Sequence, residues 1–296
     1  PNARRINKKP MPTIGGLAIF VAFNIGEFVL LRKDFPTHEL FSVLLASSVI
    51  ILTGLIDDIL ELKPRQKMFG IFVASLVVYF LAGIKVRELS LPFLGHIQLG
   101  WWSFPFTIFW ILALTNAVNL IDGLDGLATG VTLISLVTMG IVGFFFLKSW
   151  QHYVPIMCIM LAACLLGFLP YNFHPAKIFL GDTGALYIGF MISVLSLKGL
   201  KNVTFVSLLV PILILGVPIT DTVYAMIRRK LNKKNISQAD KHHLHHQLMR
   251  MGLSHRQTVL AIYGISLIFS FVSLLCLSEF SNITFFSGTL VSFDHP

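Results

Sequence analysis

Residues 101–128 read WWSFPFTIFWILALTNAVNLIDGLDGLA. No residue from Trp101 to Ile121 carries a charge, and a helix of that length crosses a hydrocarbon layer about 30 Å thick. The stretch closes on Asn116, Asn119, Asp122 and Asp125, with Gly123 and Gly126 interleaved. Glycine lets the backbone come close to a ligand if this segment is a tight turn. Polar, glycine-broken backbone at membrane depth persists only where it lines a cavity or is enclosed by protein. The stretch therefore reads as a spanning helix that delivers a polar turn to a membrane surface. A plain Asp/Gly turn is the alternative, and it leaves the two asparagines without a purpose.

Working outward, the apolar pattern repeats along the chain. The 296 residues are 55% hydrophobic and 12% charged, with mean hydropathy +0.79, whereas an ordinary soluble domain is about 25% charged. A soluble enzyme is excluded on that ground, in favour of one polytopic, all-α membrane domain over residues 1–296. Apolar runs at 14–31, 38–56, 67–84, 101–120, 125–147, 152–170, 184–198, 203–224 and 257–279 predict about nine spanning helices. Short β-prone pieces at 86–89 and 96–99, punctuated by Pro92 and Gly95, predict a small hairpin at the extracytoplasmic surface. Cys158, Cys164 and Cys276 all lie in apolar runs, as packing residues rather than a disulfide or zinc framework. The opening Pro1-Asn2-Ala3-Arg4-Arg5 is no signal peptide, and an upstream segment is expected.

The charge balance, 23 Lys and Arg against 14 Asp and Glu, suits nucleic acid in a soluble protein, but in a membrane protein it sets topology. Alternating loops place sixteen basic residues on the face holding residues 1–13, 57–67, 171–183 and 225–256, and seven on the other. The richer face is therefore cytoplasmic. Eight acids fall at or near the same face: Asp57, Asp58, Glu61, Asp122, Asp125, Asp182, Asp221 and Asp240. A cationic face that also concentrates carboxylates suits a metal ion and a polyanion.

Four segments could carry that chemistry. Asp57-Asp58 ends the second span, where one carboxylate could hold a metal and the other accept a proton; a solvated surface pair is the alternative. Gly181-Asp182-Thr183-Gly184 precedes the seventh span, so its backbone N–H groups could meet a phosphate, or Asp182 could simply cap the helix. Asp240-Lys241-His242-His243-Leu244-His245-His246 predicts an amphipathic helix with Asp240 as N-cap, Leu244, Leu248 and Met251 on one face, and Gly252 as its stop. Its histidines could bind phosphate, relay protons, hold a metal or merely be solvated. Basic residues at 4–9 and at Lys63, Arg65 and Lys67 suit lipid headgroups or a substrate phosphate equally.

Taken together, Lys8-Lys9-Pro10-Met11-Pro12 with Gly15-Gly16, Asp57-Asp58, Asn119 to Gly126, Pro175 to Gly184, and Asp240 to His246 with Ser254-His255-Arg256 resemble the polyprenyl-phosphate N-acetylhexosamine-1-phosphate transferases. The His-Leu-His-His arrangement after Asp-Lys, and Asp57-Asp58 followed by Glu61-Leu62 and Pro64, resemble the WecA/TagO-like branch more than the related MraY branch. Asn7 stands where the family has a histidine, and the family's first helix has no counterpart here.

The resemblance implies transfer of GlcNAc-1-phosphate from UDP-GlcNAc to undecaprenyl phosphate, releasing UMP and initiating an envelope glycan such as a teichoic acid or O-antigen. It implies Mg²⁺, with Mn²⁺ as a substitute, on Asp182 with Asp57 and Asp58; Asp57 is the group that would deprotonate the lipid phosphate. His243, His245 and His246 would contact donor phosphates or sugar. Asn119, Asp122, Asp125 and Asn172 would line the nucleotide pocket, with Lys9, Thr13, Arg65, Lys67 and Gly181 also binding substrate. A multi-pass protein of the bacterial cell membrane, with a cytoplasmic site and homodimeric packing as in the family, is the expected setting, with no nucleic-acid partner. Two readings compete: an MraY-like phospho-MurNAc-pentapeptide transferase, and an ion or metal transporter whose acids would line a through-pathway.

Overall fold

A computed structural model of the chain describes residues 11–30, 37–91, 95–145, 153–199, 203–204, 212, 215–231 and 244–291. Its elements in order are α1 (Gly15–Leu30), α2 (Thr37–Leu60), α3 (Pro64–Phe80), β1 (Glu88–Leu91), β2 (Gly95–Gln98), α4 (Ser103–Ile121), α5 (Leu127–Phe145), α6 (Tyr153–Asn172), α7 (Gly181–Gly199), β3 (Val203–Thr204), α8 (Gly216–Leu231), α9 (Leu244–Arg250) and α10 (His255–Val291). Among the described residues, five helices are long and apolar enough to cross a membrane: Thr37–Leu60, Gly100–Ile121, Leu127–Phe145, Tyr153–Asn172 and His255–Ser278. α1 is apolar but shorter, at 16 residues.

The bundle is organised around α7. Ala185, Leu186, Tyr187, Ile188, Phe190, Met191, Ile192, Val194, Leu195 and Leu197 are all buried, so this helix is covered on every side. It packs against α1, α2, α4, α5 and α6. Lipid tails are as apolar as leucine, so helices in a bilayer associate through close backbone packing rather than burial from water. Gly16 and Gly54 supply that approach: a Cβ at Gly16 would lie 2.2 Å from Gly184 N, and one at Gly54 would lie 2.4 Å from Thr183 Cα. α1 and α2 thereby clamp the first turn of α7. Several hydroxyls inside the bundle bond to carbonyls of their own helices, as Ser42 does to His38 at 2.8 Å and Ser135 to Val131 at 2.8 Å, which spares these an unmet donor in hydrocarbon.

The predicted hairpin is present, β1 pairing antiparallel with β2 from Glu88↔Gln98 to Leu91↔Gly95. The eighth predicted span needs correction at both ends. Val203-Thr204 is not helical; it joins the sheet as β3, parallel to β1 with Leu89 opposite Val203, as suits β-branched residues. Ile212 is helical, and a further helix runs from Gly216 to Leu231, into what reads as a loop; residues 205–211 and 213–214 lie outside the described residues. Exposed Trp101 and Trp102 follow β2, aromatic residues of the kind that sit at a membrane interface.

Candidate active site

The C-terminal ends of α2, α4 and α6 and the N-terminal ends of α3, α5, α7 and α10 gather at one end of the bundle. Asp58, in the last turn of α2, reaches across to α7. Its Oδ1 accepts the Asp182 N–H at 2.9 Å, and its Oδ2 accepts the Thr183 N–H at 3.1 Å and the Thr183 hydroxyl at 2.7 Å. Orphan donors of a helix N-terminus need such a partner. Here the cap comes from another helix, 124 residues away in sequence. Gly181 makes room for it, with φ +74° and an ideal Cβ that would lie 2.8 Å from Asp58 Oδ2. The two N–H groups read from sequence as phosphate donors are thus bonded to Asp58, and Asp182 is not the cap.

Relieved of that task, the Asp182 carboxylate turns to two other helices. Its Oδ1 accepts from Lys67 Nζ at 2.8 Å and from Asn119 Nδ2 at 2.7 Å. Lys67 Nζ, from the first turn of α3, also pairs with Asp57 Oδ2 and lies 3.4 Å from Asn119 Oδ1. Asp57 is buried, and its Oδ1 accepts the Leu62 N–H at 2.8 Å, which fixes the bend between α2 and α3. The adjacent carboxylates Asp57 and Asp58 therefore face different partners, one the lysine and one the α7 terminus.

The turn at 122–126 links this network to two further groups. Burial and the carboxylates of Asp182, Asp58 and Asp125 push Asp122 up to about 8. Gly123 carries no side chain because His245 occupies the space: a Cβ there would meet His245 Nε2 at 2.5 Å. His245 is buried at the start of α9, with its ring centroid 4.2 Å from that of His246. Asp125 Oδ2 lies 2.8 Å from His174 Nδ1 and accepts the Ala176 N–H at 3.2 Å. His174 stacks on His255 at 4.0 Å between centroids, Arg256 Nε donates to the His174 carbonyl at 3.0 Å, and Tyr263 donates to the Gly126 carbonyl at 2.5 Å. Ligand atoms of Asp125, His174 and His255 lie within 4.8 Å of one another, but stacked rings aim their lone pairs side by side rather than at one ion. That trio braces the turn against α6 and α10.

Residues 40–200 match the model of glycosyl transferase family 4. The chain belongs to this family. It is 45% identical over 272 residues to a probable undecaprenyl-phosphate N-acetylglucosaminyl 1-phosphate transferase of Bacillus subtilis strain 168, covering 91% of this chain and 74% of that protein. A decaprenyl-phosphate N-acetylglucosaminephosphotransferase of Mycolicibacterium smegmatis is 33% identical over 89% of this chain and 71% of its own. A phospho-N-acetylmuramoyl-pentapeptide-transferase of Clostridium botulinum strain Eklund 17B is 32% identical over 92% and 84%.

In this family 4 chain the predicted site residues separate into groups. Asp57, Lys67, Asn119 and Asp182 meet directly, Asp58 anchors the last of them, and Asp122, Asp125, His245 and His246 border the same turn. Thr13 lies nearby through its backbone, its carbonyl 3.0 Å from where a Gly181 Cβ would stand. Asn172 is buried, accepting from the Thr129 hydroxyl at 2.7 Å and donating to the Ile178 carbonyl at 3.1 Å, so its amide holds the α6–α7 loop. Arg65 is exposed. Lys9, His242, His243 and the expected cap Asp240 lie outside the described residues. α9 starts at Leu244, whose N–H donates to Asp221 Oδ1 at 2.9 Å, a second cap supplied by another helix. Leu244 and Leu248 pack on the core and Gly252, at φ +97°, ends the helix as predicted, but Met251 is exposed because it already lies in the terminating turn. Thr183, Asp221, His174 and Tyr263 make contacts that local sequence reasoning assigned to none of them, since each acts on a residue far along the chain.

The chemical capacity of the network follows from its donor set. Carboxylate oxygens of Asp57 and Asp182 and the amide oxygen of Asn119 surround one cationic nitrogen. Hard oxygen ligands of this kind suit Mg²⁺.

Proposed function

We propose that this transferase moves GlcNAc-1-phosphate from UDP-GlcNAc to undecaprenyl phosphate and releases UMP. The observation that carries the reading is the meeting of Asp57, Lys67, Asn119 and Asp182, drawn from four helices, at one point on the bundle end. The Bacillus subtilis relative, 45% identical over 91% of this chain, supports the choice of sugar and lipid. The basic count of the loops supports a cytoplasmic position for this end, where a cytosolic nucleotide sugar meets a lipid phosphate at headgroup level.

UMP retains one phosphate of the donor, so the acceptor's phosphate oxygen attacks the sugar-bearing phosphorus. A new P–O bond forms there, the bond to UMP breaks, and its electron pair leaves on the UMP phosphate. Little covalent assistance is needed; positioning and charge neutralisation set the rate. Mg²⁺ or Mn²⁺ would be held by Asp182 and Asp57 with Asn119 beside them, and when bound it neutralises charge on the donor diphosphate. Asp57 would be the member of the acidic pair that takes a proton from the acceptor phosphate, once its ion pair with Lys67 opens. Asp58 holds Asp182 in place through the α7 terminus. Asp122 and Asp125 would line the nucleotide pocket, and His245, packed against Gly123, and His246 would contact the donor.

The test incubates the purified full chain with Mg²⁺ and undecaprenyl phosphate, and offers UDP-GlcNAc or UDP-MurNAc-pentapeptide in separate reactions. UMP release with UDP-GlcNAc is expected. Release with UDP-MurNAc-pentapeptide alone would overturn the reading in favour of the pentapeptide transferases, which are also relatives.

A further inference from the structure

We propose that Lys67 is an internal placeholder for the divalent cation, its ammonium closing the Asp57–Asp182 pair when the ion is absent and swinging to the donor's phosphates when the ion enters. The inference rests on the proposed cation role of Asp57 and Asp182.

Three observations carry it. The ammonium sits where an ion would: it pairs with Asp57 Oδ2, lies 2.8 Å from Asp182 Oδ1, and lies 3.4 Å from Asn119 Oδ1. One positive charge there serves two carboxylates, which a divalent ion would neutralise fully. Helix electrostatics do not account for the position. Lys67 lies in the first turn of α3, after Lys63 as N-cap and Pro64, where the positive end of the helix disfavours a cation. The site is also open on one side, since the Asp182 side chain is 39% exposed, so an ion can reach it without unfolding the bundle. A lysine stem of four carbons can withdraw its ammonium while α3 stays in place.

The consequence is coupling. Ion and ammonium compete for the same oxygens, so the ion binds weakly to the substrate-free protein. A donor diphosphate that accepts the displaced ammonium favours ion entry, and the ion favours the donor by the same factor.

The experiment titrates the detergent-purified full chain with Mn²⁺, without nucleotide, and reads the free ion by electron paramagnetic resonance. Lys67→Gln is expected to bind Mn²⁺ about tenfold more tightly than wild type, because it removes a competing charge at contact distance. Unchanged or weaker binding overturns the placeholder role. Asp182→Asn separates the two ideas: if it binds Mn²⁺ as well as wild type, the metal role of Asp182 itself falls, whereas weakened binding in Asp182→Asn with no change in Lys67→Gln removes the placeholder alone. A second measurement needs no variant. Acetylation of Lys67 in wild type, followed by peptide mass spectrometry, should rise severalfold on saturation with Mn²⁺, and an unchanged extent contradicts displacement.

Discussion

Two lysines mark opposite ends of the same bundle, and their surroundings differ in an instructive way. Lys198, in the last turn of α7, lies 2.8 Å from Glu39 Oε1 and 4.5 Å above the ring of Tyr153. Its side chain is 2% exposed and that of Glu39 is 14% exposed. Lys67 also bridges carboxylates, but at 17% exposure and beside an Asp182 that is 39% exposed. The helix dipole favours a cation at Lys198, near a C-terminus, and opposes one at Lys67, near an N-terminus. Similar ion-pair chemistry thus makes a sealed fastening at one end and an exchangeable contact at the other, distinguished by access and by helix electrostatics.

Breaking the open end should cost the most activity. Asp182→Asn is expected to lower UMP release about a thousandfold, the scale of removing a group that stabilises developing charge, while the thermal midpoint stays near that of wild type. Breaking the sealed end should do the reverse. Lys198→Met leaves Glu39 without this cation and should cost about 3 kcal/mol of stability, read as a lower thermal midpoint in detergent, with turnover per folded molecule near normal. A large loss of turnover with no change in midpoint would erase the distinction between the two ends.

The acidic pair sharpens the comparison within the open end. Asp58→Ala removes the cap on α7 and should cost about 1–2 kcal/mol of stability as well as turnover, because Asp182 loses its support. Asp57→Asn keeps an acceptor for the Leu62 N–H and should lower turnover with a smaller change in midpoint. Equal midpoints for the two variants would contradict the division of labour.

The smallest effect expected is on pH dependence. Asp122 is pushed up to about 8, whereas an unfolded aspartate titrates near 4. Between those values the folded protein binds the extra proton, so this residue's contribution to stability falls as pH rises and levels off above pH 8. Asp122→Asn should remove that part of the slope, its midpoint gaining on wild type between pH 5 and 8 without metal. Parallel pH profiles would show that Asp122 is not held in its acid form.

Much of this was legible in the sequence because lipid imposes long uncharged helices. The spans ending at Asp57 and Asp122, the hairpin at 88–98 and the stop at Gly252 follow from local composition and turn chemistry. Clustering of Asp57, Asn119 and Asp182 at one end follows from counting crossings. What local reasoning could not reach is the partner of each carboxylate. Asp57 and Asp58 are indistinguishable by neighbourhood, yet one meets Lys67 and the other meets Thr183, and the choice depends on how α2 lies against α7. Asp182 was one candidate cap for α7, yet Asp58 bonds to that terminus from another helix; Asp221 accepts the Leu244 N–H of α9, whose expected cap Asp240 lies outside the described residues. Val203-Thr204 read as part of an apolar run because β-branched residues serve a span and a strand alike.

The central claim is that Asp57 and Asp182 act as one centre, and a double-mutant cycle on UMP release tests it most directly. Groups acting as a unit are strongly non-additive. The account predicts that Asp57→Asn combined with Asp182→Asn is hardly slower than Asp182→Asn alone. Losses that multiply, as they do for independent sites, would contradict it.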